Sequence, residues 1–443
     1  MSFQASFEDP SNYEGKYNFF SEGSSPTLVQ NLIDLIENNK GEIQEINLCW
    51  YLFNNLKLHN YLKEVSKEIV VNIITIPLEG YDNSNPKKLK NLKDGSYTTH
   101  PYTKYDLAKR IFSEVYFSEN LPNYNIYFFS HIYVRSPYVK KFSRGQLPYS
   151  LHIKAGYIKK NNKGIMLLSS SNLAVRDLVK YESMLIIEDE PEYQKSFETF
   201  FMDIIKNSIP IKKFTESNNI NRDPFSFQKA PINKNSFFTA PFYFDSPHLL
   251  ENELIEIILS AKDRIIICAQ HLAAYNYEFN SVFHSSIAKN EIRKGVLGCM
   301  LEMANKGVEI TCLSQTFSPP DAFKDKFAQY DFRAPANPKN FQAFYTELAK
   351  YSDVKYFVNE NIHSKFIIVD NKLICCTYNF TPTQFIYLDK VEIDHFVNMP
   401  NENYKGVHCE ISCHVIINDK KILGSFLNHL TSIADSFETI KVL

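Results

Sequence analysis

The feature that most constrains this chain is that it repeats itself. Ser25-Pro26-Thr27-Leu28 opens a helical pattern, LVQNLIDLIENN, followed by a strand-like run, EINLCWYLF, an amphipathic stretch and a second strand from Val71 to Pro77. Ser246-Pro247-His248-Leu249 opens the same order again, through LLENELIEIILSAKD, RIIICAQHL, VLGCMLEMANKG and VEITCLS. Serine before proline suits a helix start, with serine as the cap and proline in the first turn. Pro26 and Pro247 lie 221 positions apart, close to the 211 that separate His152 from His363. Two halves of similar length imply an internal duplication. Alternating helices and strands imply an α/β fold of two pseudo-repeated lobes, each a mixed β-sheet flanked by helices. The expected boundaries are an N-terminal lobe over 1–215, a linker over 216–240 and a C-terminal lobe over 241–443. The connector, from about Ile211 to Phe244, holds Asn, Ser and Pro with no clear period. Residues 81–145 read as an insertion in the first lobe, with smaller insertions at ENEIRKG and near Phe317–Phe341 in the second.

The chemistry-bearing residues repeat with the fold. In SLHIKAGYIKKNNKGIMLLSSSNLA, His152 and Lys154 sit two apart on a strand-like run, and a turn and second strand bring Ser170 and Asn172 back toward them. In NIHSKFIIVDNKLICCTYNFT, His363 and Lys365 open a strand ending at Asp370, and the return strand delivers Thr377 and Asn379. Residues i and i+2 of a strand share a face, so each His and Lys should project together. A lone histidine on a strand is more often structural than catalytic; the same hairpin written twice reverses that expectation.

With these residues in view, the sequence resembles the phospholipase D superfamily, whose pattern is H-x-K-x4-D, a G-S-x-N-like turn and a more distant Glu. The resemblance covers nearly the whole chain. It implies one shared active site using His152, Lys154, His363, Lys365, Asn172 and Asn379, supported by Ser170, Thr377, Asp370 and the carboxylates Glu182 and Glu410. The first copy departs from the pattern with Lys159 where Asp is common, and the second with Cys376-Thr377 where Gly-Ser is common. Asp370 has an equally good structural reading, as a cap at the end of its strand.

These groups suit a phosphodiester. Two lysines neutralise the non-bridging oxygens, and the Asn amides and Ser and Thr hydroxyls add donors where charge develops. One neutral imidazole attacks phosphorus to form a covalent phospho-histidine, and the other, protonated, donates to the leaving oxygen. The resemblance implies His152 as nucleophile and His363 as acid, with the reverse order open by the family's symmetry and a carboxylate behind a ring to fix its tautomer. This route needs no metal and no cofactor. The segment GVHCEISCHVII also warrants a zinc reading, since it holds His408, Cys409, Glu410, Cys413 and His414. Strand alternation splits them between two faces, so a core strand with one useful carboxylate is the expectation.

Composition narrows the setting. Hydrophobic residues make up 44% of 443 and aromatics 14%, enough for substantial cores. The net charge of −2 excludes a protein that coats nucleic acid by bulk charge, so any polyanion site is local. No run reaches the roughly 20 apolar residues of a membrane span, and the opening MSFQASFEDP has neither basic nor apolar signal character. Eight cysteines without a CxxC pair suit reduced thiols in the cytoplasm. A basic cluster, Lys87, Lys88, Lys90 and Lys93, precedes a tyrosine-rich run reaching Arg110 and could track phosphates, against a solvated loop as the plain alternative. Trp50 reads as core. Three functions follow: a nuclease acting on DNA or RNA, which the basic-aromatic cluster favours; a phospholipase D or phosphatidyltransferase acting on phospholipid; and a non-catalytic polyanion-binding scaffold. Nucleic acid is the expected partner and phospholipid the alternative, with the chain a monomer or homodimer.

Overall fold

The structure is a computed structural model. It describes residues 2–12, 25–77, 104–131, 150–161, 163–214, 228–243, 246–275, 277–279, 291–335, 338–385 and 410–443. The described residues divide into two compact units, over 2–214 and 228–443. The cluster Lys87, Lys88, Lys90 and Lys93 lies outside the described residues.

The first unit is built on an eight-stranded sheet of β1 (Phe3–Glu8), β2 (Ile43–Trp50), β3 (Val70–Thr75), β4 (Tyr124–Phe128), β5 (Lys154–Lys160), β6 (Lys163–Ser169), β7 (Glu182–Glu188) and β8 (Ile209–Pro210). Their order is β1-β7-β6-β5-β2-β3-β4-β8. The second unit holds β9 (Ser236–Thr239), β10 (Arg264–Ala269), a small hairpin of β11 (Tyr277–Phe279) and β12 (Glu291–Arg293), then β13 (Glu309–Ser314), β14 (Val354–Val358), β15 (Phe366–Val369), β16 (Lys372–Cys376), β17 (Ser412–Ile417) and β18 (Ile440–Lys441). Read from β9, its large sheet runs β9-β17-β16-β15-β10-β13-β14-β18. Strand for strand this is the first sheet, with the β11–β12 hairpin added. In each, a parallel trio (β2-β3-β4, β10-β13-β14) meets an antiparallel meander (β5-β6-β7, β15-β16-β17). The duplication seen in the sequence is therefore a duplication of topology.

Helices cover the sheets: α1 (Thr27–Asn39), α2 (Leu56–Val65), α3 (Lys104–Phe117) and α4 (Pro191–Lys206) in the first unit; α5 (Ser246–Leu259), α6 (Val296–Asn305), α7 (Pro338–Leu348) and α8 (Lys420–Asp435) in the second. The first core packs Leu28, Leu32 and Ile36 of α1 with Leu58 and Leu62 of α2 and Ile111 and Phe112 of α3 against Ile46, Leu48, Val71, Ile73 and Ile126 of the sheet. Apolar residues three and four apart on each helix produce that buried stripe.

Three local expectations need correction. The residues expected as insertion 81–145 include α3 and β4, and β4 pairs with β3 as a full member of the sheet. Its alternation is shallow, with three buried and two half-buried residues in YNIYF, so it does not stand out among the neighbouring tyrosines. Ser236–Thr239, expected in the linker, is the edge strand β9; all four residues are buried, which removes any period-2 signal. At α1, Pro26 occupies the cap position without a side-chain hydrogen bond, and the buried Glu8 instead accepts from the Leu28 N–H at 3.2 Å.

Two glycines test this packing. A Cβ on Gly156 in β5 would meet Leu167 Cδ1 at 2.8 Å and Leu48 Cδ2 at 2.9 Å, whereas one on Gly424 within α8 meets nothing within 4 Å. Gly156→Val should destabilise by about 1–3 kcal/mol through overpacking. Gly424→Ala should stabilise by about 0.5–1 kcal/mol by raising helix propensity. Denaturant unfolding of the two variants should therefore shift in opposite directions.

Candidate active site

In the first unit, β5 begins at Lys154, and its register partner on β2 is Trp50. Ile153 is fully buried, so strand alternation leaves His152 and Lys154 to the other face. Lys154 is itself fully buried, and its Nζ donates to the His152 carbonyl at 2.8 Å. The Tyr51 ring joins the two, edge-on to the His152 imidazole at 5.8 Å and 5.9 Å from the Lys154 Nζ. Behind them, burial pushes the Cys49 thiol pKa up, while the Lys154 charge pulls it down.

The return strand β6 ends at Ser169. Ser170 then donates to Glu182 Oε2 at 2.5 Å and accepts the Ser183 N–H at 2.9 Å. The Trp50 indole N–H donates to the Ser171 carbonyl at 3.0 Å, tying this loop to the strand beside Lys154. Asn172 follows, and Leu173 adopts a left-handed φ of 55°. That conformation costs a non-glycine residue about 1–2 kcal/mol. It is held by the Leu173 N–H on Ser171 Oγ at 2.8 Å and by Asn55 Nδ2 on the Leu173 carbonyl at 2.8 Å. The strained turn fixes where Asn172 stands. Its amide oxygen is buried and has no hydrogen-bond partner among the described residues.

The second unit repeats the arrangement. Lys365 is 1% exposed, and its Nζ donates to the His363 carbonyl at 2.6 Å. Ser364, between them, points into the α8 layer and bonds His429 Nε2 at 2.9 Å. The Cys376 N–H donates to the Lys365 carbonyl. Thr377 accepts the Cys413 N–H at 3.1 Å, as Ser170 accepts that of Ser183. Asn379 accepts the His271 N–H through Oδ1 at 3.3 Å, a bond that does not use its Nδ2 hydrogens.

The shared hydrogen bonds also fix which residues correspond, and there the two carboxylates part. Ser183 matches Cys413, so Glu182 matches Ser412, and Glu410 lies two residues further back. Across the sheet, Glu182 pairs with Glu8, whereas Ser412 pairs with Thr239, its hydroxyl 2.8 Å from Thr239 Oγ1. The first half thus sets two buried carboxylates where the second sets two hydroxyls. The Glu410 carbonyl accepts from Thr239 Oγ1 at 2.8 Å.

Asp370 lies at the opposite end of β15 from Lys365, with φ 52°. Its carboxylate accepts the N–H groups of Lys262, Asp263 and Arg264 at 2.9–3.1 Å, closing the turn that leads into β10. In the first half Lys159 stands 3.9 Å from Glu198. In the His408–His414 run, His408 and Cys409 lie outside the described residues, and His414 Nδ1 bonds Tyr378 Oη at 2.9 Å. Among the described residues no group of three or more His, Cys, Asp or Glu side chains could hold a metal ion.

Two residues near the motifs were not singled out from the sequence. Tyr51 follows the buried Trp50 and reads as more of the same core strand. His271 lies just past β10, its Nδ1 3.3 Å from Thr316 Oγ1. Burial first, then the Arg333 and Lys365 charges, hold its pKa down at about 4, so it is neutral at pH 7. A histidine in RIIICAQHL carries no motif to mark it.

No protein-family model matches the chain, and no curated protein matches it. Solved structures do. A phosphatidylserine synthase of Haemophilus influenzae Rd KW20 matches at 14% identity and TM-score 0.53, over 95% of this chain and 86% of that one. A polyphosphate kinase of Porphyromonas gingivalis matches at 10% identity and TM-score 0.48, over 99% of this chain. This chain spans 48% of the kinase's length. Nuc of Salmonella typhimurium, a phospholipase D family member, matches at 18% identity and TM-score 0.27, over 46% of this chain and 95% of its own. The protein shares the fold of that phosphatidylserine synthase.

Asp370 offers a clean separation of architecture from chemistry. Burial raises its pKa, but the N–H groups of Asp263, Arg264 and Lys262, with the Arg264 charge, outweigh that and hold it below the usual carboxylate value. Its contribution is therefore full above the unfolded pKa of about 3.9 and lost as pH falls through the lower folded value. Asp370→Ala should cost about 1–3 kcal/mol of stability at pH 7. Unfolding curves should show that loss shrinking below pH 4, while activity of the folded fraction is unchanged.

Proposed function

We propose that the protein is a phosphodiesterase that works without a metal, through a covalent phospho-histidine, and that its substrate is DNA or RNA. The observation that carries this reading is the recurrence, at matching register in both sheets, of a buried lysine hooked to the carbonyl of a histidine two residues earlier, with a hydroxyl and an Asn on the return strand. In this reading the two pairs act on one phosphorus. Lys154, Lys365, Asn172 and Asn379 hold the non-bridging oxygens and stabilise the charge that builds on them. His152 attacks and His363 protonates the leaving oxygen, then activates water to release the enzyme. The carboxylates at Glu8 and Glu182 distinguish the halves. Glu182 holds the Ser170 hydroxyl, and Glu8 pairs with Glu182 across the sheet.

Nucleic acid is favoured by the basic-aromatic cluster of the sequence. Among the described residues no helix is long and apolar enough to cross a membrane. The seven described cysteines are free and buried, which suits the cytoplasmic setting we propose. Phospholipid is the second reading, because one structural neighbour is by name a phosphatidylserine synthase.

Purified protein should cleave labelled DNA or RNA in EDTA, and His152→Ala and His363→Ala should each lower kcat by at least about a thousand-fold. Cleavage of phospholipid alone would move the substrate to the second reading. A strict need for added divalent metal would overturn the mechanism.

A further inference from the structure

The second unit holds a positively charged element that the catalytic reading does not use. After β13 the chain loops out and returns to the sheet at α7, and this loop is tightly anchored. Phe317 packs edge-on against Phe327, Phe332, Phe341 and Tyr345, with ring centroids 4.9–5.6 Å apart. The Phe317 N–H donates to the Arg333 carbonyl at 3.0 Å. Arg333 is thus fixed at its backbone, and its neighbour Phe332 is fixed in an aromatic cluster.

Its side chain is fixed as well. Arg333 Nη1 donates to Gln315 Oε1 at 2.9 Å. Gln315 is 2% exposed, and the same oxygen accepts Gln270 Nε2 at 2.6 Å, while its own Nε2 donates to the Glu360 carbonyl. A buried amide with each polar atom engaged is a rigid mount for a guanidinium. Among the described residues no carboxylate lies within 4.0 Å of Arg333. The loop therefore presents a positioned guanidinium that is exposed to solvent and has no carboxylate beside it among the described residues.

The mount connects to the catalytic pair. Gln270 is followed by His271, whose N–H is held by Asn379 and whose ring meets Thr316. Burial first, then the Arg333 and Lys365 charges, keep the His271 imidazole uncharged, which places the Arg333 and Lys365 charges near one neutral ring. From Asn379 through His271, Gln270 and Gln315 to Arg333, a continuous run of polar groups leads away from the His363–Lys365 pair.

We propose that Arg333 forms a second anion subsite that takes the phosphate next to the scissile one on a nucleic-acid strand. A guanidinium on a rigid mount binds phosphate in a defined, two-pronged geometry. A phospholipid with one diester phosphate offers nothing to that position. The subsite rests on the phosphodiesterase reading for its role but not for its existence, and a binding measurement separates the two.

The test is calorimetric titration of the full chain with thymidine 3′,5′-bisphosphate, thymidine 5′-monophosphate and inorganic pyrophosphate. Wild type should bind the bisphosphate at least about ten-fold more tightly than the monophosphate, a difference of about 1.4 kcal/mol. Arg333→Ala should abolish that preference and leave monophosphate binding unchanged, and Arg333→Lys should restore part of it. Equal affinities in wild type, or a preference that survives Arg333→Ala, would overturn the subsite. A preference for pyrophosphate over the bisphosphate would overturn its assignment to a nucleic-acid strand. If wild type cleaves no diester yet keeps an Arg333-dependent preference, the subsite stands and the catalytic reading falls. If it cleaves nucleic acid with no such preference, the reverse holds.

Discussion

A lysine ammonium buried inside a sheet is the interaction on which the rest of this structure depends. Taking such a charge out of water costs several kcal/mol unless its donors are engaged and a compensating environment is built around it. The chain meets that cost twice, at Lys154 and Lys365. Each time the Nζ bonds the carbonyl of the histidine two residues before it. The bond needs the strand to enter the sheet at a fixed point, which the pairing of β5 with β2 and of β15 with β10 supplies. Around it the sheets place residues that tolerate or exploit the charge: Tyr51, Cys49 and the Trp50-anchored loop in the first half, and Cys376, His271 and Asn379 in the second. Burial pushes the Cys376 thiol pKa up while the Lys365 charge pulls it down, as at Cys49, so neighbouring thiols feel each ammonium.

The two halves are copies in topology but not in chemistry. Ser170 and Thr377 occupy matching positions, yet the residue before the N–H donor is Glu182 in one and Ser412 in the other. The cross-strand partner changes with it, from Glu8 to Thr239. The proposed reaction begins with one neutral and one protonated imidazole, which two identical environments would not give. Duplication supplied the frame, and a few buried side chains have diverged within it.

Much of this was legible in the sequence because it was written twice. The repeated order of helices and strands gave the fold, and the spacing of His152 and His363 gave the motif strands. Other parts left no readable trace. β4 and β9 are short and buried on both faces or weakly alternating, so periodicity could not separate them from loop. The resemblance implies Glu410 as the counterpart of Glu182; the shared hydrogen bonds put Ser412 in that place. Tyr51 and His271 become site neighbours through tertiary contacts between residues far apart in the chain. Arg333 sits in a segment whose aromatic residues gave no pattern, because they pack around one another instead of along a helix or strand face.

In the proposed mechanism the two His-Lys pairs serve a single phosphorus. A crystal structure of the full chain with orthovanadate tests it most directly. The expected result is one ion held by the Nζ groups of Lys154 and Lys365, with the His152 and His363 imidazoles on opposite sides of it. Separate ions on each half, or an ion held by one half alone, would contradict the account.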